Sequence, residues 1–153
     1  MNSVLRGSIL YESDMYYNLK ESELRELEKI EEDYLRKVFK TTKGCPISQI
    51  YLEIGQTPAR FEIQKLRLLF LKTILEESEQ SLLSRFFHHQ LEEPTKGDWA
   101  SQCMSDLKKL RITESLTEIK KMSKQKFTDI LNKRIKENAL TYLKGKRKVK
   151  EKR

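Results

Sequence analysis

The side chains able to bind a metal or attack a substrate are few in this sequence: two histidines, His88 and His89, and two cysteines, Cys45 and Cys103. The histidines are neighbours, which sets them about 100° apart on a helix, whereas two ligands of one metal need i,i+3 or i,i+4 spacing. Projected on their helix, His88 lies opposite the apolar face and His89 at its edge, so both read as surface residues. With no CxxC or HxxxH pair to anchor zinc, the cysteines read as reduced thiols, Cys103 as a small core residue. Adjacent acids at Glu31/Glu32/Asp33, Glu76/Glu77 and Glu92/Glu93 diverge on a helix and do not form the buried pair that general acid–base work needs. No GxGxxG, GxxxxGK or GxSxG occurs. The chain offers no catalytic constellation, and neither an enzymatic activity, a cofactor nor a metal is expected.

What remains is charge. The 153 residues carry 31 Lys plus Arg against 23 Asp plus Glu, a net +8. Residues 1–98 hold 14 basic and 17 acidic side chains, net −3, and residues 99–153 hold 17 and 6, net +11. Such an excess is the electrostatic footprint of a segment that lies along phosphates, where counterion release supplies affinity without reading sequence. The candidate nucleic-acid contacts are Lys126, Lys133, Lys136, Lys144, Lys146, Arg147, Lys148, Lys150, Lys152 and Arg153. The KRKVK run also resembles a nuclear-import signal. Tyr11, Tyr16 and Tyr17 could stack on bases, but no basic residue interleaves with them between Arg6 and Lys20, so packing is the simpler reading.

The elements that must position these residues are helices, since only five Gly and three Pro punctuate the chain and the gaps show helical periodicity. The fold class expected is all-α: about six short to medium helices around a central apolar one. The first runs from about Lys20 to Lys40 behind an N-cap at Asn18, with Leu24, Leu27, Ile30, Tyr34, Leu35 and Val38 as its apolar stripe. The pairs Glu21/Arg25, Glu32/Arg36 and Asp33/Lys37 lie on its solvated face. Pro46 opens a short helix that Gly55 closes in the left-handed region, and Thr57 with Pro58 launches the central helix, 58–76. A fourth, from about Glu79 to Leu91, presents Leu82, Leu83, Phe86, Phe87 and Leu91 on one broad face. Asp98 caps a helix to Leu110, a short turn follows at 116–122, and Ser123 caps a last helix to Leu143. On that helix Lys126, Lys133 and Lys144 share the face opposite the apolar one. Three regions are expected: an N-terminal segment 1–19, a helical domain 20–143, and a basic tail 144–153 unable to bury a core and disordered alone. No stretch approaches the roughly 20 apolar residues of a membrane span. Together with the missing signal peptide this predicts a soluble intracellular protein, nuclear more than cytoplasmic.

The order of segments resembles the region that follows the polymerase core in non-LTR (LINE-type) retrotransposon reverse transcriptases. The likeness extends from about Leu5 to about Leu143, and its matching stretches are Ile9 to Tyr16, Leu35 to Lys37, Pro46 to Arg60 and Pro94 to Trp99. The family's pattern P-x-x-x-x-YLELG-x-x-P-xR is matched by Pro46, Tyr51, Gly55, Pro58 and Arg60, and its PTKGDW turn by residues 94–99. Glu12 and Tyr16 replace a family glycine and tryptophan. The Tyr/Phe-x-Asp-Asp motif that holds two catalytic metal ions in the family is absent here, as is the downstream Cys/His knuckle. The resemblance implies ancestry without activity: a noncatalytic fragment that lies behind the thumb and helps to hold RNA or DNA. The alternative is a helical interaction module, in which apolar surface around Val4 to Tyr17 binds a missing polymerase domain or a second copy.

Overall fold

The computed structural model describes residues 4–16, 19–42 and 44–151, with side chains from Gly7 to Lys146 apart from those gaps. The described residues are helical, with no strand: α1 (Val4–Leu10), a 3-10 turn (Ser13–Met15), α2 (Glu21–Val38), α3 (Ile47–Ile54), α4 (Ala59–Glu76), α5 (Leu82–Glu92), α6 (Trp99–Lys109), α7 (Leu116–Lys121) and α8 (Lys124–Glu151). Among these residues no helix is long and apolar enough to cross a membrane.

The helix ends are set by local chemistry. Gly55 closes α3 at φ 65°, where a side chain would be strained. Asp98 caps α6 by accepting the Ser101 N–H at 2.6 Å, and Ser81 caps α5 through the Ser84 N–H. Ser115 and Glu118 form a reciprocal capping box on α7, and Ser123 accepts the Lys126 N–H at the start of α8. The expected cap at Asn18 lies outside the described residues. Thr57 does not cap the central helix, which begins at Ala59 behind Pro58; its hydroxyl bonds Glu62 instead.

The central helix is α4, which touches α1, the 3-10 turn, α2, α5, α6, α7 and α8. Its Leu68 and Leu71 are fully buried and join Phe87, Cys103, Leu110, Ile119, Phe127 and Leu131 in the main core. Each such side chain contributes about 1.5–3 kcal/mol. A smaller cluster gathers Leu35, Ile47, Ile50, Tyr51 and, from α8, Leu143. Two cations also lie inside α4's packing. Lys72 is 1% exposed and donates to Glu76 and to the Lys120 carbonyl, and Arg67 forms a buried ion pair with Asp106 on α6 while its Nε donates to the Tyr16 carbonyl. These bonds replace the water that the charges lost.

Two expected faces differ. On α2 the buried residues are Glu28, Glu31 and Leu35, while Ile30 and Val38 are exposed. The helix is rotated toward its acids because partners wait for them on α3, α4 and α8. Glu32 accordingly pairs with Lys146, and Arg36 donates to the Thr42 and Cys45 carbonyls. On α5 only Ser84 and Phe87 are buried, and Leu82, Leu83 and Phe86 face outward. Finally, α8 runs on to Glu151 rather than ending near Leu143, since Leu143 is packed and Lys146 is held by two carboxylates of α2.

Candidate nucleic-acid interface

The inward stripe of α8 is Phe127, Leu131, Ile135, Ala139 and Leu143, four residues apart and all buried. That stripe fixes the orientation of the rest of the helix, because residues half a turn away must face water. Lys126, Lys133, Lys136 and Lys144 are exposed and form no ion pair among the described residues. At 1.5 Å per residue, Lys133 lies about 10 Å along the axis from Lys126 and Lys144 about 16 Å farther. Lys126, Lys133 and Lys144 therefore track one line roughly 27 Å long, with Lys136 set about 60–80° to its side. Asp129 interrupts it, and Glu137 is engaged by Arg134 at 3.4 Å.

Lys146 is placed differently from the other four. Its Nζ lies 2.6 Å from Glu32 and 3.5 Å from Glu28, and it stands 5.2 Å from the Tyr142 ring centroid. Burial works against its charge, but the hydrogen bond to Glu32 and the field of both acids outweigh that and raise its pKa. Lys146 is thus a strap between α8 and α2. Arg147, Lys148 and Lys150 continue the backbone of α8 with side chains outside the described ones, and Lys152 and Arg153 lie wholly outside them.

The exposed set is wider than the sequence reading named. Lys108, Lys109 and Arg111 at the end of α6 and Lys120, Lys121 and Lys124 around α7 are also exposed. The signal for them was the +11 of residues 99–153, which did not assign charge to single positions. The last turns of α6 and α7 also suit cations, since the helix dipole is negative there.

Against this stands a cleft of about 600 Å³ between α2, α4, α6 and α8, with Arg60, Arg67, Lys109, Gln102 and Tyr142 on its walls. Its guanidinium groups are already engaged. Arg60 donates to Glu28 at 2.5 Å and Glu21 at 2.9 Å, and these bonds outweigh burial and raise its pKa; the Arg60 hydrogen bond in turn lowers that of Glu21. Arg67 is held by Asp106. Tyr142 donates to Glu28 at 2.7 Å, and burial followed by that bond pushes its phenol up to about 12. Both guanidinium groups of the cleft are bonded into a seam, and the exposed Lys109 is, among the described residues, the one lysine on its wall.

The thiols and histidines form no reactive group. Cys103 is fully buried, and burial raises its pKa, so little thiolate forms. His88 and His89 are exposed, and among the described residues no three His, Cys, Asp or Glu side chains come close enough to hold a metal ion.

The stretches that carry the family resemblance turn out to be junction hardware. Tyr51 donates to Glu31 at 2.7 Å, Gly55 takes its positive φ, and Arg60 clamps α2. In the second stretch Gly97 has φ 83°, Asp98 binds the Thr95 N–H and hydroxyl, and Trp99 donates to the Asp14 carbonyl at 3.0 Å. Comparison of the chain with protein-family profiles, curated proteins and solved structures gave no match.

Proposed function

We propose that the chain is a noncatalytic helical protein of reverse-transcriptase ancestry that holds RNA or DNA by phosphate contacts along its C-terminal third. The single observation that carries the binding half is the line of Lys126, Lys133 and Lys144 with Lys136 to its side, all exposed and unpaired, within a segment of net charge +11. The ancestry half draws on the stretches Pro46 to Arg60 and Pro94 to Trp99. Contacts of this kind neutralise phosphates and release counterions, so affinity falls steeply with salt and is indifferent to base sequence.

The test is titration of single-stranded RNA and duplex DNA of mixed sequence at graded salt. Replacing Lys126, Lys133, Lys136 and Lys144 together by Gln lowers affinity and reduces the log–log salt slope by about 0.7–0.9 per lost contact. Affinity unchanged by salt, or by the fourfold replacement, refutes the reading. Primer extension on an RNA template gives no product from this chain.

A second reading, a helical interaction module, is favoured by the exposure of Tyr11, Met15, Leu82 and Phe86, at 70%, 51%, 82% and 58%. A single exposed Leu is ordinary, but Met15, Leu83 and Phe86, all exposed, border one depression and join the two segments into a patch.

A further inference from the structure

A depression of about 320 Å³ lies between the 3-10 turn and α5, floored by Phe70, Phe87 and Trp99 and edged by Met15, Leu83 and Phe86. Its floor is preformed: the Phe70 and Phe87 rings meet Trp99 edge-on at 5.7 and 6.0 Å, and the indole N–H is fixed by Asp14. Rigid aromatic surface of this kind is an anchor site for inserted apolar side chains. The framing stretches are strongly acidic. Residues 11–16 and 77–98 hold Glu12, Asp14, Glu77, Glu79, Glu92, Glu93 and Asp98 against Arg85 and Lys96. Asp98 is consumed as a cap, while Glu12, Glu79, Glu92 and Glu93 are exposed. This is the reverse of the charge on α8.

We propose that this groove docks an amphipathic helix of another protein, whose apolar side chains enter between Met15 and Phe86 and whose Lys or Arg side chains meet the acids at either end of α5. The eleven residues of α5 span about 16 Å, so the docked segment is about three turns, anchored at i, i+3 or i+4, and i+7. The proposal deepens the interaction-module reading by naming the partner's chemistry, and it is independent of nucleic-acid binding. A second copy of this chain fits less well, because the same acidic frame would face itself.

The experiment uses the full chain and two synthetic peptides of about 18 residues, free of Trp, with one leucine stripe and either lysine or glutamate on the polar face. Trp99 is the chain's one tryptophan, so its emission reports occupancy directly. The lysine peptide is expected to change that emission saturably and to bind at least about tenfold more tightly than the glutamate peptide. Phe86→Ser, at an exposed position that leaves the circular dichroism unchanged, weakens it about tenfold. Glu79→Gln with Glu93→Gln weakens it at low salt. Equal binding of both peptides, or binding indifferent to Phe86→Ser, overturns the basic-helix occupant. So does a Phe86-dependent dimer of the chain in sedimentation, although that result keeps the interaction module. A monomer that binds neither peptide sinks both.

Discussion

Glu31 caps a helix that starts 28 residues after it: its Oε2 accepts the Ala59 N–H at 3.0 Å, and the same oxygen receives the Tyr51 hydroxyl at 2.7 Å. One carboxylate, 3% exposed, thereby fixes α2 to the end of α3 and the beginning of α4. Pro58 cannot cap with its side chain, so the orphan donor of α4 is satisfied from another helix. Glu31→Ala leaves two buried donors without that acceptor and is expected to cost about 2–4 kcal/mol. Urea denaturation measures the loss, and hydrogen exchange at Ala59 should accelerate more than at Leu68. A midpoint unchanged from wild type would refute this role.

The Arg67–Asp106 pair tests a different balance. Both side chains are at most 4% exposed, so removing one partner strands a charge. Asp106→Ala is expected to destabilise by about 3–5 kcal/mol, and Arg67→Met combined with Asp106→Leu by less than the single change. Thermal denaturation of the two variants and the two remaining singles completes the cycle. A double variant weaker than Asp106→Ala would show that the Arg67 bond to the Tyr16 carbonyl dominates.

Tyr142 predicts an alkaline transition. Its phenol is raised from 10.0 to about 12 by burial and by the bond to Glu28. The folded state therefore keeps a proton that the unfolded chain releases. The stabilisation is complete below pH 10.0 and disappears as pH rises toward about 12. Lys146, raised above 10.5, adds a loss of the same sign. Tyr142→Phe is expected to cost about 1 kcal/mol at pH 7 and to make the alkaline decline shallower than in wild type. Urea midpoints from neutral pH into this window give the slopes, and parallel slopes for the two proteins would sink the assignment.

Arg111 sits after α6 at φ 55°, the left-handed position that glycine fills most easily. The surrounding bonds, Arg111 N to Lys108 O and Ile112 N to Leu107 O, complete a Schellman closure with Ile112 packed inward. Arg111→Gly is expected to stabilise the fold by up to about 1 kcal/mol despite the lost charge. The same variant should weaken RNA binding slightly, by removing one exposed cation. A lower melting temperature would contradict the backbone argument.

Local signals explain what could be read without coordinates. Gly55, Asp98 and Ser123 act within four residues, so sequence spacing was sufficient to identify them as caps. The apolar density of α4 marked it as central, since a helix apolar all round must be surrounded. The buried charges were illegible for the opposite reason. Glu28 looks like any surface acid of α2 until Arg60, 32 residues on, and Tyr142, 114 residues on, converge on it. On α5 the pattern showed an apolar face but not that α4 and α6 cover only part of it. At the candidate interface, helical projection placed Lys126, Lys133 and Lys144 outward, whereas the capture of Lys146 depended on two acids more than 110 residues away.

The small cluster around Tyr51 takes its last member, Leu143, from α8, and this has a consequence for synthesis. A ribosome delivers α2 and α3 long before residue 143 emerges, so the first third of the chain waits with Leu35, Ile47 and Ile50 only partly covered. Closure of this small cluster is therefore a late event, and a stalled or shortened translation product would display that apolar surface to chaperones.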